Sequence, residues 1–203
     1  MILRAFVAAS LGLLSISAAA MEPWPDSHLQ IDAGTVEFNR QSPQSIYAAN
    51  LSWSLGSRGF LRLRAARSDG DNASFDRTQL EIGLHHPLTD HARVFAVVGT
   101  ERIDSDLSLQ SDFIGTPTII RLRKRHHGLS GEFGFQFRPH ERLLLTLSGT
   151  HADREQQFYN VNLPDSYGLF AAEVRLGHGF SLTAEARSGE DYREYRIGPK
   201  WVF

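Results

Sequence analysis

Apolar and polar side chains alternate along most of the chain. In TQLEIGLHH, residues 78–86, Leu80, Ile82 and Leu84 fall on one face, whereas polar or small residues dominate the other. Successive side chains of a β-strand point to opposite faces, so a period of two predicts a strand with one apolar and one polar face. The last segment, REYRIGPKWVF, keeps the alternation up to the aromatic Phe203.

The alternation predicts ten strands of about 9 to 11 residues, which is the length that a tilted strand needs to cross a bilayer. Their segments are LQIDAGTVEFN, AANLSWSLG, FLRLRAAR, TQLEIGLHH, RVFAVVGT, LSGEFGFQF, LLLTLSGT, LFAAEVRLG, FSLTAEAR and EYRIGPKWVF. The first, residues 29–39, is the weakest, because its alternation slips near Thr35 and predicts a bulge or a bend. Without it the termini would lie on opposite sides, so we keep ten strands and retain eight as the alternative.

The connections between these segments alternate in length. LGSRG, PLTDHA, RPHER and LGHG are short turns. The longer polar stretches between them are RQSPQ, SDGDNASFD, the run from Glu101 to His126, DREQQFYNVNLPDS and SGEDYRE. Short turns on one rim and long loops on the other are typical of outer-membrane β-barrels. An even number of strands then places both termini on the short-turn, periplasmic side.

The charged residues of the alternating segments fall on the polar faces. The mean hydropathy is −0.27, and beyond the N-terminal segment no run of about 18 apolar residues predicts a transmembrane helix. A closed β-barrel is the other way to span a bilayer, because it pairs every backbone polar group. We expect charges of both signs to pair inside such a barrel. These lumen residues are Arg62, Arg64, Glu81, Glu132, Glu173, Arg175, Glu185, Arg187, Arg196 and Lys200.

Together the patterns predict an all-β fold, an antiparallel up-and-down transmembrane β-barrel whose apolar faces contact lipid. An Arg or Lys on the lipid side would cost about 2–4 kcal/mol at the middle of the bilayer. The alternative is a soluble sandwich or lipocalin-like barrel, in which the charged faces meet water and the apolar faces form a core. The two folds differ in which face of each strand is exposed.

The N-terminal segment Met1–Ala20 has the features of a secretory signal peptide: the basic Arg4, an apolar stretch and three final alanines. We predict cleavage after Ala20, an N-terminal tail over residues 21–28 and a barrel domain over residues 29–203. The chain has no cysteine, so it gains no stability from disulfides. The formal net charge of −2 gives no indication of a nucleic-acid partner.

The C-terminal strand resembles the membrane-insertion signal of bacterial outer-membrane proteins in Tyr195, Gly198, Trp201 and Phe203. The resemblance implies that the outer-membrane assembly machinery and periplasmic chaperones are partners during biogenesis. Pro199 departs from that signal, because proline lacks the backbone donor and belongs at a strand edge or a bulge.

Two longer stretches resemble the small Ax-type outer-membrane proteins: LEIGLHHPLTDHARVFAVVGTERID (Leu80–Asp104) and FSLTAEARSGEDYREYRIGPKWVF (Phe180–Phe203). That family has been studied as candidate activators of plant immunity. The resemblance implies a small barrel in the outer membrane and in shed vesicles, and it implies no biochemical activity. Its motifs are strand and turn patterns, so no site residues follow from it.

No constellation in the sequence predicts catalysis or a bound cofactor. His126 and Ser130 fall on one face of a strand but two alternation steps apart, which is too far for a hydrogen bond between base and nucleophile. His85, His86 and His91 cluster near one short turn, where histidines are more often solvated than bound to a metal. We therefore expect neither an enzyme nor a metal site.

The run RLRKRHH places Arg121, Arg123, Lys124 and Arg125 in a predicted loop at the top of a strand. Arginine and lysine bind phosphate through charge-assisted hydrogen bonds, and the outer leaflet of an outer membrane is dense in lipopolysaccharide phosphate. We predict that these four residues contact lipopolysaccharide. The alternative is a solvated run of charge.

The sequence thus predicts an outer-membrane barrel with a structural or interaction role, whose loops contact lipopolysaccharide or external partners. Two alternatives are a small pore and a lipid A-modifying or proteolytic barrel enzyme. Ten strands with many long charged side chains inside leave at most a narrow path, which favours the first function.

Overall fold

The chain forms a closed antiparallel barrel in a computed structural model that describes residues 27–38, 42–70, 73–113, 116–154, 163–177 and 179–203. The strands are β1 (His28–Phe38), β2 (Gln44–Leu55), β3 (Gly59–Asp69), β4 (Ala73–Thr89), β5 (Ala92–Phe113), β6 (Thr116–His140), β7 (Leu143–Ala152), β8 (Ser166–Gly177), β9 (Phe180–Gly189) and β10 (Tyr192–Val202). Within the described part of the chain, no helix is long and apolar enough to cross a membrane. The predicted signal peptide and residues 21–26 of the predicted tail lie outside the described residues.

The number of strands and their order confirm the predicted fold class, and the alternative of eight strands is wrong. Each strand pairs with its neighbours in sequence, and β1 pairs with β10 to close the barrel. The turns after β2, β4, β6 and β8 lie at one end together with both ends of the described chain, and we call this end the short-turn rim. The connections after β1, β3, β5, β7 and β9 form the opposite, long-loop rim.

The outward-facing side chains are mainly apolar over the middle of the barrel. Leu80 and Ile82 are each 52% exposed, whereas Gln79 and Glu81 between and beside them are 1% and 3% exposed. Other strands show the same facing; their exposed apolar residues include Ile31, Leu61, Leu63, Val98, Phe133, Leu147, Phe170, Leu182 and Ile197. The prediction that apolar faces point outward and charged faces inward is therefore confirmed. An apolar belt of this extent is rare on a surface that faces water.

The first strand is regular, so the predicted bulge or bend near Thr35 is wrong. Asp32 and Val36 face inward, whereas Ile31 and Thr35 face outward, and the pairing of β1 with β2 runs without a shift. The apparent slip has a chemical cause. Inward-facing residues of β1 are polar near the short-turn rim but become apolar, at Val36 and Phe38, near the long-loop rim.

The hairpin of β5 and β6 is much longer than its neighbours. The predicted loop over the run from Glu101 to His126 is therefore wrong, because most of that run belongs to two strands that pair continuously. The pairing of β4 with β5 ends at Leu107, and β7 parts from β6 at Ser130. The hairpin consequently rises beyond both neighbouring strands at the long-loop rim.

Two other connections are also shorter than predicted. In SDGDNASFD, β3 continues to Asp69 and β4 already begins at Ala73. In SGEDYRE, only Glu190 and Asp191 join β9 to β10. Asp191 has a φ of 55°, in the left-handed region that aspartate tolerates better than most residues. Strand pairing at the long-loop rim is therefore more complete than the polar composition of these segments predicts.

The lumen changes character along its axis. Near the long-loop rim the ring of Phe38 lies 6.0 Å from Phe75 and 5.9 Å from Tyr192. These rings belong to a buried cluster that we call the apolar plug, formed by Val36, Phe38, Ile46, Ala48, Ala66, Ala73, Phe75, Ile103, Leu107, Leu163 and Tyr192. Ion pairs occupy the middle of the lumen, and Phe60 and Phe95 pack together nearer the short-turn rim.

Aromatic side chains gather on the outer surface of the short-turn rim. The ring of Trp53 lies 6.1 Å from Phe203, and the ring of Phe180 lies 5.6 Å from Trp201. Trp53 and Phe203 are more than half exposed. Aromatic rings at the edge of an apolar belt are typical of the boundary between hydrocarbon and water.

Candidate functional site: the charged lumen and an outer arginine strip

A first group of ion pairs lies on the inner faces of β3, β4 and β6. Arg62 Nε lies 2.6 Å from Glu81, and Arg62 Nη2 lies 2.5 Å from Glu132. Arg64 Nη2 lies 3.0 Å from Glu132, to which Ser148 also donates a hydrogen bond of 2.8 Å. Arg62 and Glu81 are direct cross-strand partners, so the register of β3 and β4 brings them together.

A second group lies at the seam where the barrel closes, on β1, β9 and β10. Arg196 lies 2.5 Å from Glu185, 2.8 Å from Glu194 and 3.7 Å from Asp32. Arg187 lies 3.1 Å from Glu185 and 3.6 Å from Glu194. Glu185 and Glu194 each contact both arginines and so connect β9 with β10, and the contact of Arg196 with Asp32 connects both to β1.

A third contact anchors the connection between β7 and β8 inside the barrel. Arg154, which follows β7, lies 2.6 Å from Glu101 on β5, and both side chains are almost completely buried. Arg154 also donates a hydrogen bond to the carbonyl of Pro164. Leu163, at the other described end of this connection, belongs to the apolar plug. Both described ends of the connection are therefore held in the lumen.

Seven basic and seven acidic side chains take part in the lumen ion pairs of the described residues. Lys200 joins them through Glu173, at 2.7 Å. Equal numbers of opposite charges keep a buried interior close to neutral. Nine of the ten predicted lumen residues are among the fourteen. The tenth, Arg175, is half-buried near the short-turn rim, and its charge acts on Glu173 from beyond ion-pair distance.

Sequence reasoning missed five members of these ion pairs: Asp32, Arg77, Glu101, Arg154 and Glu194. Arg77 and Glu194 continue the alternation of inner residues already recognised on β4 and β10. Extending each predicted strand by a few residues toward the long-loop rim would identify both. Arg154 has no such signal, because it lies beyond the end of β7 and reaches the lumen by folding back.

A cavity of about 110 Å³ lies at the short-turn end of the lumen. Its charged lining consists of Arg62, Arg64, Arg93, Lys200, Glu132, Glu173 and Glu185, and its apolar lining includes Phe60, Phe95, Leu144 and Leu169. Arg93 Nε donates a hydrogen bond of 2.6 Å to the side-chain oxygen of Gln136. The middle ion pairs and the apolar plug separate this cavity from the long-loop rim.

The four predicted lipopolysaccharide-binding residues lie in β6 rather than in a loop. Arg121, Arg123 and Arg125 are exposed on its outer face, whereas Lys124 is half-buried on the opposite face. The prediction of one loop cluster is therefore wrong, because the alternation of a strand sends neighbouring side chains to opposite sides.

Arg102 on β5 adds a fourth exposed arginine to this outer face. We call Arg102, Arg121, Arg123 and Arg125 the outer arginine strip. The register sets Asp104 opposite Arg125 and Asp106 opposite Arg123. Arg125 Nε and Arg102 Nε donate hydrogen bonds of 2.7 Å and 2.9 Å to Asp104, and Arg123 lies 3.6 Å from Asp106.

The strip keeps a positive charge despite these two carboxylates. The hydrogen bond from Arg125, and then that from Arg102, hold the pKa of Asp104 below its ordinary value. Asp104 therefore stays ionised at neutral and mildly acidic pH, and it occupies part of the donor capacity of both arginines. Arg121 lies opposite the uncharged Ser108.

The residues that resemble an insertion signal take up different positions. Tyr195 and Trp201 face outward, Phe203 follows the last strand, and Gly198 faces the lumen at the seam with β1. A Cβ atom on Gly198 would clash with the carbonyl oxygen of Ile31, so a side chain does not fit there. Gly198 is therefore required by the close approach of β1 and β10.

Pro199 lies at a gap in the pairing of β1 with β10, as expected for a residue without a backbone donor. The pairing of β10 with β1 runs from Lys200 directly to Ile197, so Pro199 falls where the ladder to β1 is interrupted. The carbonyl of Gly198 accepts a hydrogen bond of 2.9 Å from the hydroxyl of Thr183 instead. The missing donor of proline thus falls in a gap of the ladder.

The histidines are dispersed. His91 is exposed in the turn after β4, but His85 and His86 are buried, so the expectation of solvated turn histidines is wrong for these two. His126 and Ser130 both face the lumen. Across the described residues, no group of three or more metal-ligating side chains is present.

Comparisons with known proteins add evidence on the fold alone. No protein-family model matches the chain, and no curated protein matches its sequence. The NanC porin structure has a TM-score of 0.50 at 10% identity, over 86% of this chain and 100% of that chain. The translocator domain of autotransporter NalP from Neisseria meningitidis has a TM-score of 0.44 at 11% identity, over 98% and 94% of the two chains. The likeness to NanC agrees with the barrel fold, and the resemblance to the Ax-type family stays a prediction.

Proposed function

We propose that this chain is an outer-membrane β-barrel protein with a structural and interaction role and no catalytic activity, and that its outer arginine strip contacts lipopolysaccharide phosphate. One observation carries the proposal: on the outer surface an apolar belt lies directly below an exposed strip of arginines. An amphiphile with acyl chains and phosphate groups matches both parts in the same order.

The apolar belt supports the membrane location. Large apolar side chains are exposed around the barrel while ion pairs fill its interior, which is the reverse of a soluble protein. The aromatic side chains at the short-turn rim support a boundary between the membrane and the periplasm at that end of the barrel. The predicted signal peptide supports export, and the resemblance to the Ax-type family supports a location in the outer membrane and its shed vesicles. The insertion-signal resemblance supports assembly by the outer-membrane machinery with periplasmic chaperones.

A shallow groove on the outer surface places apolar and basic side chains next to each other. The groove is lined by Leu80 and Leu129, by Arg102 and His127, and also by the carboxylates of Asp104 and Asp153. Acyl chains would contact the leucines, while the phosphate groups above them would accept hydrogen bonds from the strip. Arginine suits this role because its planar guanidinium donates two parallel hydrogen bonds to a phosphate.

The filled lumen supports an interaction protein over a pore. The apolar plug packs across the barrel near the long-loop rim, and apolar constrictions exclude ions. We expect no single-channel steps when the purified protein is inserted into planar bilayers. Regular ion-conducting steps would favour the pore.

The strip is tested by lipopolysaccharide binding to refolded protein in detergent. The double substitution Arg123→Gln and Arg125→Gln should weaken binding by about tenfold, because each loses charge-assisted hydrogen bonds to phosphate. The matched control is Arg58→Gln with Arg142→Gln, which removes the same charge at the short-turn rim. Lys124→Gln, on the opposite face of β6, should have little effect.

The affinities of these variants decide between a specific strip and general charge attraction. If the control pair or Lys124→Gln weakens binding as much as the strip pair does, or if the strip pair binds like the wild type, the proposed contact is wrong. Higher salt should reduce the difference between the two pairs, since screening weakens exposed charges.

A further inference from the structure

The long hairpin of β5 and β6 leaves one edge of β6 without a partner strand. The pairing of β6 with β7 begins only at Ser130, whereas its pairing with β5 continues outward to Thr116. In the described part of the chain, the last backbone bond to this edge is the one that the carbonyl of Leu129 accepts from the amide of Asp153, at 2.8 Å. We call residues 119–127 the free edge, since no described strand pairs with their β7 side.

The register shows which backbone groups point toward the free edge. In a paired strand the N–H and C=O groups of one residue point to the same side, and those of its neighbours point to the other. Arg138 donates a backbone hydrogen bond of 2.7 Å to His91, on the side of β5, whereas Leu129 bonds toward β7. The pairing of β5 with β6 runs without a shift. The odd-numbered residues from Ile119 to His127 therefore direct their backbone groups to the free edge.

The side chains of β6 determine which strand could pair there. Arg121, Arg123 and Arg125 are exposed on the outer face, whereas Ile120 and Leu122 on the other face are 46% and 38% exposed. The aspartates that contact these arginines belong to β5, away from the free edge. Opposite charges stabilise directly paired residues of neighbouring strands, and like charges destabilise them. A second copy of β6 would set arginine against arginine, so an acidic strand is the better partner.

We propose that the free edge binds an extended acidic segment of an external protein by antiparallel β-strand addition. The odd-numbered residues of β6 hold the segment through backbone hydrogen bonds, because an unpaired edge is a ready template for a further strand. Acidic side chains at alternate positions of the segment contact Arg123 and Arg125. The apolar side chains between them lie on the face of Ile120 and Leu122. The inference rests on the interaction role proposed above and names its partner, but it uses the backbone of β6 rather than the lipopolysaccharide contact.

Peptide binding to the refolded protein, in detergent without lipopolysaccharide, tests the proposal. The probe is a fluorescein-labelled peptide TEVEVT, and the basic peptide TKVKVT is its control. Arg123→Gln removes one charge, whereas Arg123→Pro removes the same charge together with an N–H that points to the free edge. We expect Arg123→Gln to weaken binding of the acidic peptide about threefold and Arg123→Pro about tenfold further. Equal affinities of the two variants, or equal affinities of the wild type for the two peptides, overturn the proposal.

Methylated peptides test the direction of pairing without any change to the protein. In an antiparallel pair, the residues directly opposite Arg123 and Arg125 direct their own N–H groups to β6, and in this probe those residues are the two glutamates. Methylating the backbone nitrogens of the glutamates should abolish binding, whereas methylating those of the two valines should leave binding nearly unchanged. An equal effect of both modifications, or the reverse order, contradicts the proposed pairing.

Lipopolysaccharide binding by the same two variants separates this proposal from the proposed function. Arg123→Gln and Arg123→Pro lose the same guanidinium, so both should bind lipopolysaccharide equally and more weakly than the wild type. Unchanged lipopolysaccharide affinity in both variants would overturn the strip contact alone. Equal peptide affinity in both variants would overturn strand addition alone.

Discussion

Glu132 shows how completely the lumen charges depend on one another. Its carboxylate contacts Arg62 and Arg64 and accepts a hydrogen bond from Ser148, and all of these side chains are buried or half-buried. Inside the barrel a charge that loses its partner stays largely buried and is poorly hydrated. Individual ion pairs of this kind contribute little beyond the cost of removing both charges from water, but breaking one is costly.

Replacing Glu132 with glutamine should therefore lower the free energy of unfolding by about 3–5 kcal/mol, since the two arginines keep their charge and lose their common partner. Urea unfolding of the refolded protein in detergent measures this. Glu141→Gln is the matched control, because Glu141 is exposed in the turn after β6. Equal stabilities of the two variants would show that the lumen pairs are hydrated and weak.

Gly198 illustrates a different constraint, the space available at the seam. A side chain there would meet the backbone of Ile31, whereas a Cβ atom on Gly149 would have nothing within 4 Å. Gly198→Ala should destabilise the barrel by about 1–3 kcal/mol, the usual cost of overpacking a tight site. Gly149→Ala should leave the urea midpoint within error. If both alanine variants unfold alike, close packing of β1 on β10 is not what selects glycine at this position.

The long hairpin of β5 and β6 adds a charged region to the outer surface of the barrel. It carries the outer arginine strip beyond the apolar belt, and the register supplies Asp104 and Asp106 as partners for two of the arginines. These aspartates hold the arginines in place, and in the proposed contact they would compete with a phosphate for the same donors. The strength of a phosphate contact therefore depends on how readily the carboxylates are displaced.

Asp104→Asn should strengthen lipopolysaccharide binding by about threefold to tenfold, because Arg102 and Arg125 lose a competing charged acceptor. Asp69→Asn, which removes an exposed carboxylate bonded to Arg67 on β3, is the control and should change little. The hydrogen bonds from Arg125 and Arg102 lower the pKa of Asp104, so acid mimics this substitution only at a pH below the ordinary pKa of an aspartate. Weaker binding by Asp104→Asn would mean that the carboxylate itself belongs to the binding surface.

The sequence predicts the residues on the outer face of a strand better than those on its inner face. Outer faces were predictable over the apolar belt, because residues such as Leu80 and Ile82 are apolar and exposed there, but not on the β5–β6 hairpin, whose outer arginines were assigned to a loop. Inner faces were predictable only where they carry charge, since Val36 and Phe38 break the rule that the lumen is polar. Alternation places Lys124 on the opposite face from Arg123 and Arg125. That inference needs the segment to be a strand, which the sequence did not predict.

Contacts between segments distant in sequence were beyond prediction. Arg154 reaches Glu101 from the far end of a polar connection, and no local pattern distinguishes it from the other charged residues there. The same limit applies to the seam, where Arg196 meets Asp32 across the closure of the barrel. Both depend on the three-dimensional path of the chain rather than on its periodicity.

The complete barrel has the distribution of apolar and charged side chains that is typical of a protein in a lipid bilayer. Apolar side chains cover its outer surface, paired charges fill its middle, and an apolar plug lies toward the long-loop rim. Closure of β1 on β10 removes every free edge along the belt, as a strand in lipid requires. The proposed lipopolysaccharide contact lies beyond this belt, at the outer arginine strip.

The orientation of β2 in a bilayer provides the decisive test. The native chain has no cysteine, so single cysteines at Ala49 and Leu51 on the outer face, and at Asn50 and Ser52 on the inner face, carry a fluorescent label without competing sites. In vesicles of brominated lipid, the labels at Ala49 and Leu51 should be strongly quenched and those at Asn50 and Ser52 should not. Equal quenching at all four positions, or stronger quenching of the inner pair, would contradict a barrel that turns its apolar faces to the membrane.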